Sequence, residues 1–154
     1  DKMNIVWQYL DKRAAAINAL KDYSSMKYII EHTDEDIAIL NEEMSSPASS
    51  VINGMPSTHD PKAGEKRLIA CINEIDVLKE RYRQALEYMD WFQPAWDALT
   101  EDEQYVLKEF YLDDEQKQID AVYNICDHFN IERSSAYNKK NRALQHLALL
   151  LYGK

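Results

Sequence analysis

The sequence is poor in glycine and proline, with 3 glycines and 4 prolines among 154 residues. So few turn-forming residues argue against a turn-rich all-β fold. The glycine-loop motifs GxGxxG and GxxxxGK[ST] are both missing, which excludes a dinucleotide cradle and a P-loop of the usual kind. The two cysteines, Cys71 and Cys126, form no paired motif. We therefore expect a reduced, cytoplasmic protein rather than a disulfide scaffold.

Long apolar runs and catalytic constellations are also missing. The longest uncharged apolar run, Leu147 to Tyr152, is far too short to span a bilayer, so we expect no membrane association. Cys126 and His128 have the spacing of a metal-site fragment but lack two further ligands nearby. The remaining histidines are scattered, and none lies at a diagnostic distance from a nucleophile. We predict no enzyme activity, no catalytic residues, no metal site and no cofactor.

Basic residues are outnumbered along most of the chain, and the formal net charge is −9. Residues 1–117 carry 13 Lys and Arg against 24 Asp and Glu, whereas residues 118–154 carry 5 against 3. An acidic body repels the phosphate backbone, so indiscriminate binding to nucleic acid is not expected. A slightly basic C-terminal part on an otherwise acidic chain is what a nucleic-acid-binding C-terminal part would show. On charge alone, chance explains the difference equally well.

What the sequence does have is helical periodicity. The section from Met3 to Met44 carries apolar residues at steps of three and four, which predicts helix. Thr33 followed by Asp36 resembles a capping pair, so the pattern leaves open whether this section is one helix or two. Residues 45–64 contain three of the four prolines and two of the three glycines, which predicts a loop.

The clearest pattern is a heptad repeat between Glu65 and Phe92. One heptad position holds Leu68, Ile75, Tyr82 and Met89, and the other holds Cys71, Leu78, Ala85 and Phe92. Such a seam must pack against another helix, either the first section as an antiparallel, coiled-coil-like hairpin or a second copy of the chain. Pro94 is expected to end or kink this helix.

The C-terminal section predicts three more helices. Thr100 and Glu103 form a capping-box pair at the start of the first. The second helix fits Ile119 to Phe129 and the third fits Arg133 to Leu151, with the lone apolar Ile131 in the short turn between them. A helix, a short turn with a buried aliphatic residue and a second helix form the layout of a helix-turn-helix.

The third helix presents polar residues between its apolar positions. These candidate DNA-binding residues are Arg133, Ser134, Ser135, Tyr137, Asn138, Lys139, Asn141 and Arg142. Arginine and lysine suit phosphates and guanine, asparagine suits adenine, and serine suits phosphate oxygens. The pattern fits a helix that reads the major groove of double-stranded DNA, and it fits equally well an ordinary amphipathic helix with a solvated face.

The stretch AVYNICDHFNIERSSAYNKKNRALQHL, residues 121–147, resembles the helix-turn-helix in the fourth conserved region of bacterial sigma factors. The matching positions are Ile125 and Cys126 for the usual Ile-Ala, Ile131 in the turn, Ser134 and Ser135 before Ala136, and Arg142, Ala143 and Leu144 with Leu147. The upstream LTEDEQYVLKEFYL is similar to the helix that precedes this motif in sigma factors. The segment SSVINGMPSTHDP is followed by a long helix and then by this motif. This order of parts resembles that of small phage and prophage proteins related to the RinA and ArpU late-transcription regulators.

Two residues depart from the family pattern. Glu132 stands where Ser or Thr usually caps the recognition helix, and its carboxylate suits the helix dipole but would repel a nearby phosphate. Asn130 replaces the usual turn glycine, at little cost because asparagine tolerates the left-handed conformation. Glu132 and the acidic run from Asp113 to Gln118 before the motif imply weak or assisted DNA binding.

We therefore predict an all-α protein with a helical hairpin over residues 1–93, including a loop at 45–64, and a sigma-like helix-turn-helix domain over 94–154. The resemblance implies a DNA-binding transcription regulator whose acidic hairpin contacts RNA polymerase or a second copy of the chain, giving a homodimer. The rival prediction is a protein-binding adaptor that does not bind DNA and uses its acidic helical surface. The role of the loop from Val51 to Pro56 is left open.

Overall fold

A computed structural model describes residues 9–45, 62–113 and 117–153, and within these ranges every regular element is a helix. The predicted all-α class is therefore confirmed. The α-helices are α1 (Lys12–Ser45), α2 (Ala63–Asp97), α3 (Glu101–Leu107), α4 (Gln118–Phe129) and α5 (Arg133–Tyr152), and a π-helical segment (Lys108–Leu112) follows α3. Most of the predicted loop at 45–64, with its Val51–Pro56 segment, and the first residues of the Met3–Met44 section lie outside the described residues.

Helix α1 is one helix over its whole described length, which answers the question that the sequence left open. Asp11 caps its start, because the Asp11 carboxylate accepts a hydrogen bond of 3.1 Å from the Ala14 amide. Thr33 does not restart the helix as a cap. It is 4% exposed, and its hydroxyl donates to the Ile29 carbonyl one turn earlier, an arrangement that is compatible with a continuous helix.

Helix α2 runs through Pro94 and ends at Asp97, so of the two expected alternatives, an end or a kink at Pro94, the end is wrong. Proline lacks an amide hydrogen, but its carbonyl still accepts, here from the Ala98 amide at 3.1 Å. The two residues that follow, Ala95 and Trp96, are buried. Their packing in the core holds the last turn of α2 in helical form despite the missing donor.

The described helices fall into two compact units. Unit 1 comprises residues 1–26 and 88–154, and unit 2 comprises residues 27–87. This division differs from the predicted boundary at residue 93, because the first turns of α1 and the last turns of α2 share a core with α5. Ala16 and Leu20 of α1 and Phe92 of α2 are fully buried there with Leu144 and Leu147.

The main core of unit 1 is apolar and rich in aromatic residues. Its buried members are Ala16, Ala19, Leu20, Phe92, Ala95, Trp96, Leu99, Leu107, Ala143, Leu144, Leu147, Ala148 and Leu151. The Phe92 ring lies 5.5 Å from the Tyr23 ring, 5.3 Å from Tyr88 and 6.2 Å from Trp96, centroid to centroid. Such pairs contribute beyond the apolar area that they bury, so Phe92 is the central packing residue of this core.

A second cluster in unit 1, which we call the turn core, fixes α4 against α5. Its buried members are Val106, Val122, Ile125 and Ala136, with Ile131 from the connecting turn packed against them. The fully buried Ala136 lets α5 approach α4 closely. The π-helical segment faces both clusters, since Phe110 packs on the turn core while Tyr111 and Leu112 pack on the main core.

Unit 2 has a smaller apolar cluster built from its portions of α1 and α2. Leu40, Cys71 and Ile75 are buried in it, and Ile37, Met44 and Leu78 pack around them. The heptad positions Cys71, Ile75 and Ala85 are buried as predicted, but Leu68 is 44% exposed. The seam therefore does not reach its first heptad, since Met44 is the last apolar residue of α1 that could cover it.

Candidate nucleic-acid interface

The turn between α4 and α5 is a left-handed cap followed by a buried aliphatic residue. Asn130 has φ 53° and ψ 54°, and its amide donates to the Cys126 carbonyl. The Ile131 amide donates to the same carbonyl at 3.1 Å. Asparagine is one of the few residues that adopt this conformation at low cost, so the sequence ends α4 here and sends the chain directly into α5.

Glu132 is the N-cap residue of α5, with extended φ −80° and ψ 163°. Its carbonyl accepts the first helical bond, from the Ala136 amide at 3.0 Å, but its side chain makes no capping bond. The exposed carboxylate therefore stands at the positive end of α5 without serving as a hydrogen-bonded cap. Serine or threonine at this position would satisfy an amide of the first turn instead.

Half of the eight predicted DNA-binding residues are exposed: Arg133, Ser134, Asn138 and Arg142. Ser134, Asn138 and Arg142 follow one another at steps of four, so they form a stripe along one face of α5. At 1.5 Å per residue this stripe is about 12 Å long. It points away from the buried face of α5, which carries Ala136 and Ala143.

The other four predicted residues are half-buried, and three of them are held by neighbours. The Tyr137 ring lies 6.2 Å from the Phe110 ring, so Tyr137 belongs to the turn core more than to the outward face. The ammonium group of Lys139 lies 4.5 Å from the centroid of the Phe129 ring. Asn141 accepts a hydrogen bond from the Arg13 guanidinium of α1, and Ser135 is the fourth half-buried residue.

Sequence reasoning missed the contribution of α1 to this surface. Arg13 and Asn141 are 128 residues apart in the chain, and no local pattern links them. Lys140 was also missed. Its ammonium group lies over the Phe110 ring at 4.9 Å, and burial together with the positive charge of Arg13 lowers the pKa of Lys140. The one sequence feature that could have pointed to α1 is the pair Lys12 and Arg13 at its start. Positive charge is unfavourable there because of the helix dipole.

The capping box predicted at the start of α3 is confirmed and is tied to α5. The Thr100 amide donates to Glu103 Oε1 at 3.0 Å, and the Glu103 amide donates to the Thr100 hydroxyl at 3.2 Å. His146 Nδ1 lies 2.8 Å from Glu103 Oε2. Burial acts to raise the pKa of Glu103, but the bonds from Thr100 and His146 outweigh it and lower this pKa below its usual value.

Acidic residues stand beside the outward stripe. A cleft of about 310 Å³ is lined by Asp102 and Glu103 of α3 together with Lys139 and Arg142 of α5. The electrostatic surface around the stripe is therefore mixed rather than uniformly basic. A surface of this kind favours a short list of specific contacts over strong non-specific attraction to a polyanion.

Within the described ranges, no three histidine, cysteine or acidic side chains come together in a way that could hold a metal ion. None of the helices built from the described residues is both long enough and apolar enough to cross a membrane. Comparison with protein-family models, with curated proteins and with solved structures gave no match.

Proposed function

We propose that this chain is a DNA-binding transcription regulator of the phage and prophage type, in which α4, the turn and α5 act as a sigma-like helix-turn-helix. The proposal rests on the sequence resemblance and on one observation above all. The turn core and the left-handed Asn130 hold α5 so that Ser134, Asn138 and Arg142 form an outward polar stripe. A stripe about 12 Å long is comparable with the width of the major groove.

The residues of α5 divide by the contacts that they are expected to make. Asn138, in the second turn, has the donor and acceptor pair that reads adenine. Lys139 and Arg142 lie three apart and suit the phosphate backbone, with Arg133 and Ser134 nearer the start of the helix. Tyr137 and Asn141 serve as supports, since Tyr137 packs on Phe110 and Asn141 holds Arg13.

The acidic residues set the expected strength of binding. Glu132 is the N-cap residue of α5, but its carboxylate makes no capping bond. Asp102 and Glu103 line a cleft together with Arg142. Each carboxylate opposes the approach of a phosphate, so we expect weak binding that a protein partner assists. RNA polymerase or a second copy of the chain would supply that assistance through the acidic helical surface.

The test is fluorescence anisotropy on a duplex selected from random DNA, measured at several salt concentrations. Lys139→Ala should weaken binding about equally on all sequences and flatten the salt slope by roughly one unit. Asn138→Ala should lose preference among sites, at a cost of roughly 1–3 kcal/mol on the best site. Glu132→Ser should bind more tightly, because it removes a negative charge and provides a cap.

Lys21→Ala is the matched control, since Lys21 is an exposed lysine of α1 that lies outside this surface. Thermal melts should accompany each variant, because Lys139 also covers the Phe129 ring. If no DNA is selected, or if all three variants bind like the Lys21 control, α5 does not read DNA.

A second candidate function is favoured by a different surface. Unit 2 exposes large apolar side chains along α2, including Ile69 at 50%, Ile72 at 45% and Val77 at 50%. Exposed apolar side chains close together often mark protein interfaces. A protein-binding adaptor that does not bind DNA and uses its acidic helical surface would gain apolar contacts from these side chains, and it becomes the leading function if the DNA experiment fails.

A further inference from the structure

A cleft in unit 1 lies between the first turn of α1 and the middle of α5. Its volume is about 690 Å³, and its polar lining consists of Lys12, Arg13, Asn141, Arg142, Gln145 and His146. No carboxylate is among the described residues that line it. This is unusual in a chain that carries 27 acidic residues against 18 basic ones. The cleft therefore concentrates positive charge in a strongly acidic protein.

Three permanent cations face the cleft: Lys12, Arg13 and Arg142. His146 adds little, because its Nδ1 lies 2.8 Å from Glu103 and any positive charge on the ring is offset by that carboxylate. Asp11 is the nearest acidic residue in sequence, and its carboxylate is engaged in capping α1 through the Ala14 amide. Asp102 and Glu103 share a neighbouring cleft with Arg142, but neither they nor Asp11 line this one.

One of the three cations, Arg13, is held in place by a hydrogen bond to α5. The Arg13 guanidinium donates to the side-chain oxygen of Asn141, which holds the first turn of α1 against α5. A guanidinium carries five N–H donors, so this bond leaves others for an oxyanion. Lys12, the first residue of α1, lies next to it and is half-buried.

The placement of these cations is unfavourable in the isolated protein. Lys12 and Arg13 occupy the first turn of α1, where the helix dipole is positive. No acidic residue occupies that turn, and the Asp11 cap just before it sets one carboxylate against two cations. Arg142 brings a third positive charge from α5. A bound anion with several acceptor oxygens would relieve this repulsion and would accept from all three side chains at once.

We propose that this cleft is a phosphate-binding site formed by Lys12, Arg13 and Arg142. Resting on the proposed function, the phosphate is one of the DNA backbone, because Arg142 belongs both to the cleft and to the outward stripe with Ser134 and Asn138. The first turn of α1 then acts as a clamp on the strand beside the groove that α5 reads. The same chemistry would suit a free phosphate or a phosphate ester, which the experiment distinguishes.

The experiment compares two double variants that remove the same charge. Lys12→Gln with Arg13→Gln removes two cations from the cleft, whereas Lys21→Gln with Lys27→Gln removes two exposed cations of α1 outside it. Lys12→Gln alone is added because it leaves the bond between Arg13 and Asn141 in place, and thermal melts report whether each variant is folded. Two ligands are used: the selected duplex, by anisotropy over a range of salt concentrations, and inorganic phosphate, by shifts of amide resonances in NMR.

The cleft variant should bind the duplex on the order of tenfold more weakly than the control variant and flatten the salt slope by about two units. Lys12→Gln should show about half of that change in slope. If the parent binds DNA and both double variants bind it equally, the clamp is overturned while the proposed function stands.

Failure of the parent to bind DNA is also informative. If inorganic phosphate then shifts amides of α1 and α5 in the parent but not in the cleft variant, the cleft is a site for a free phosphate group and the proposed function is wrong. If neither the duplex nor inorganic phosphate binds, both proposals are wrong.

Discussion

Units 1 and 2 are built from parts of the same two long helices, yet they are packed very differently. In unit 1, α1 and α2 join α3 and α5 around a core whose central side chains, such as Phe92 and Leu144, are fully buried. In unit 2, the described portions of the same two helices share a cluster based on Leu40, Cys71 and Ile75. The heptad pattern is regular in both parts of α2, so periodicity indicates which face of a helix is apolar and not how completely that face is covered.

The largest expected effect is in the core of unit 1. Phe92→Ala should lower the free energy of unfolding by about 3–5 kcal/mol, because it removes a ring packed against Tyr23, Tyr88 and Trp96. Urea denaturation followed by circular dichroism measures it. Leu150→Ala is the control, since Leu150 is 38% exposed and should cost far less. Equal losses for the two variants would contradict the packing described for unit 1.

A smaller loss is expected from the corresponding change in unit 2. Ile75→Ala should cost about 2 kcal/mol, at the low end for a buried isoleucine, since few neighbours surround it. Ile75→Asp should cost more, because it places a charge among apolar side chains. Hydrogen exchange of α2 should show whether the loss is confined to residues 62–87. A loss as large as that of Phe92→Ala would remove the contrast between the units.

The capping box tests the junction of α3 with α5 inside unit 1. Thr100→Ala should cost about 1 kcal/mol, because the Glu103 amide loses its side-chain acceptor. Thr100→Ser keeps the hydroxyl and should restore most of the stability. Thermal melts at neutral pH measure both variants. If the serine variant is no more stable than the alanine variant, the hydroxyl is not the stabilising group.

The smallest expected effect is on the pH dependence of the melting temperature, which should differ between a glutamate of unit 1 and one of unit 2. The pKa of Glu103 is lowered in the folded protein, so its contribution is present above its unfolded pKa and is lost as pH falls through the folded pKa. The difference in melting temperature between the parent and Glu103→Gln should therefore shrink between pH 6 and pH 3.

Glu80 of unit 2 provides the comparison for that experiment. Hydrogen bonds from Arg83 and Gln84 lower the pKa of Glu80 to about 2, but the pair is fully exposed and screened by salt. Glu80→Gln should change the melting temperature less than Glu103→Gln, and added salt should reduce its effect further. A larger or salt-independent effect of Glu80→Gln would show that the exposed pair matters more than the partly buried one.

Much of the fold could be predicted from the sequence because it is local. The capping box at Thr100, the ends of α4 and α5, and the left-handed Asn130 are each determined by neighbouring residues, and the structure places them within a residue or two of the prediction. The helix end expected at Pro94 is not found there, because the burial of Trp96 outweighs the local preference of proline. The division into units 1 and 2 is not visible in the sequence because it depends on residues that are distant in the chain, such as Leu20 and Leu144 in the main core.

The candidate site shows the same limit. Asn138 and Arg142 could be placed on an outward face from helical spacing alone. Tyr137 could not be separated from them, since its partner Phe110 lies in the π-helical segment and sequence spacing does not reveal that contact. The position of Lys12 and Arg13 beside α5 could not be predicted either, because only the folded chain brings α1 against α5.

In the π-helical segment from Lys108 to Leu112, the number of residues matters as well as their identity. A π turn holds one residue more than an α turn, and that extra residue lets Phe110 face the turn core while Tyr111 and Leu112 face the main core. Deleting a single residue here would return the segment to α-helical spacing, so Phe110, Tyr111 and Leu112 could no longer all keep their present clusters. We therefore expect a one-residue deletion in this segment to destabilise unit 1 more than a conservative substitution of Phe110 or Tyr111 does.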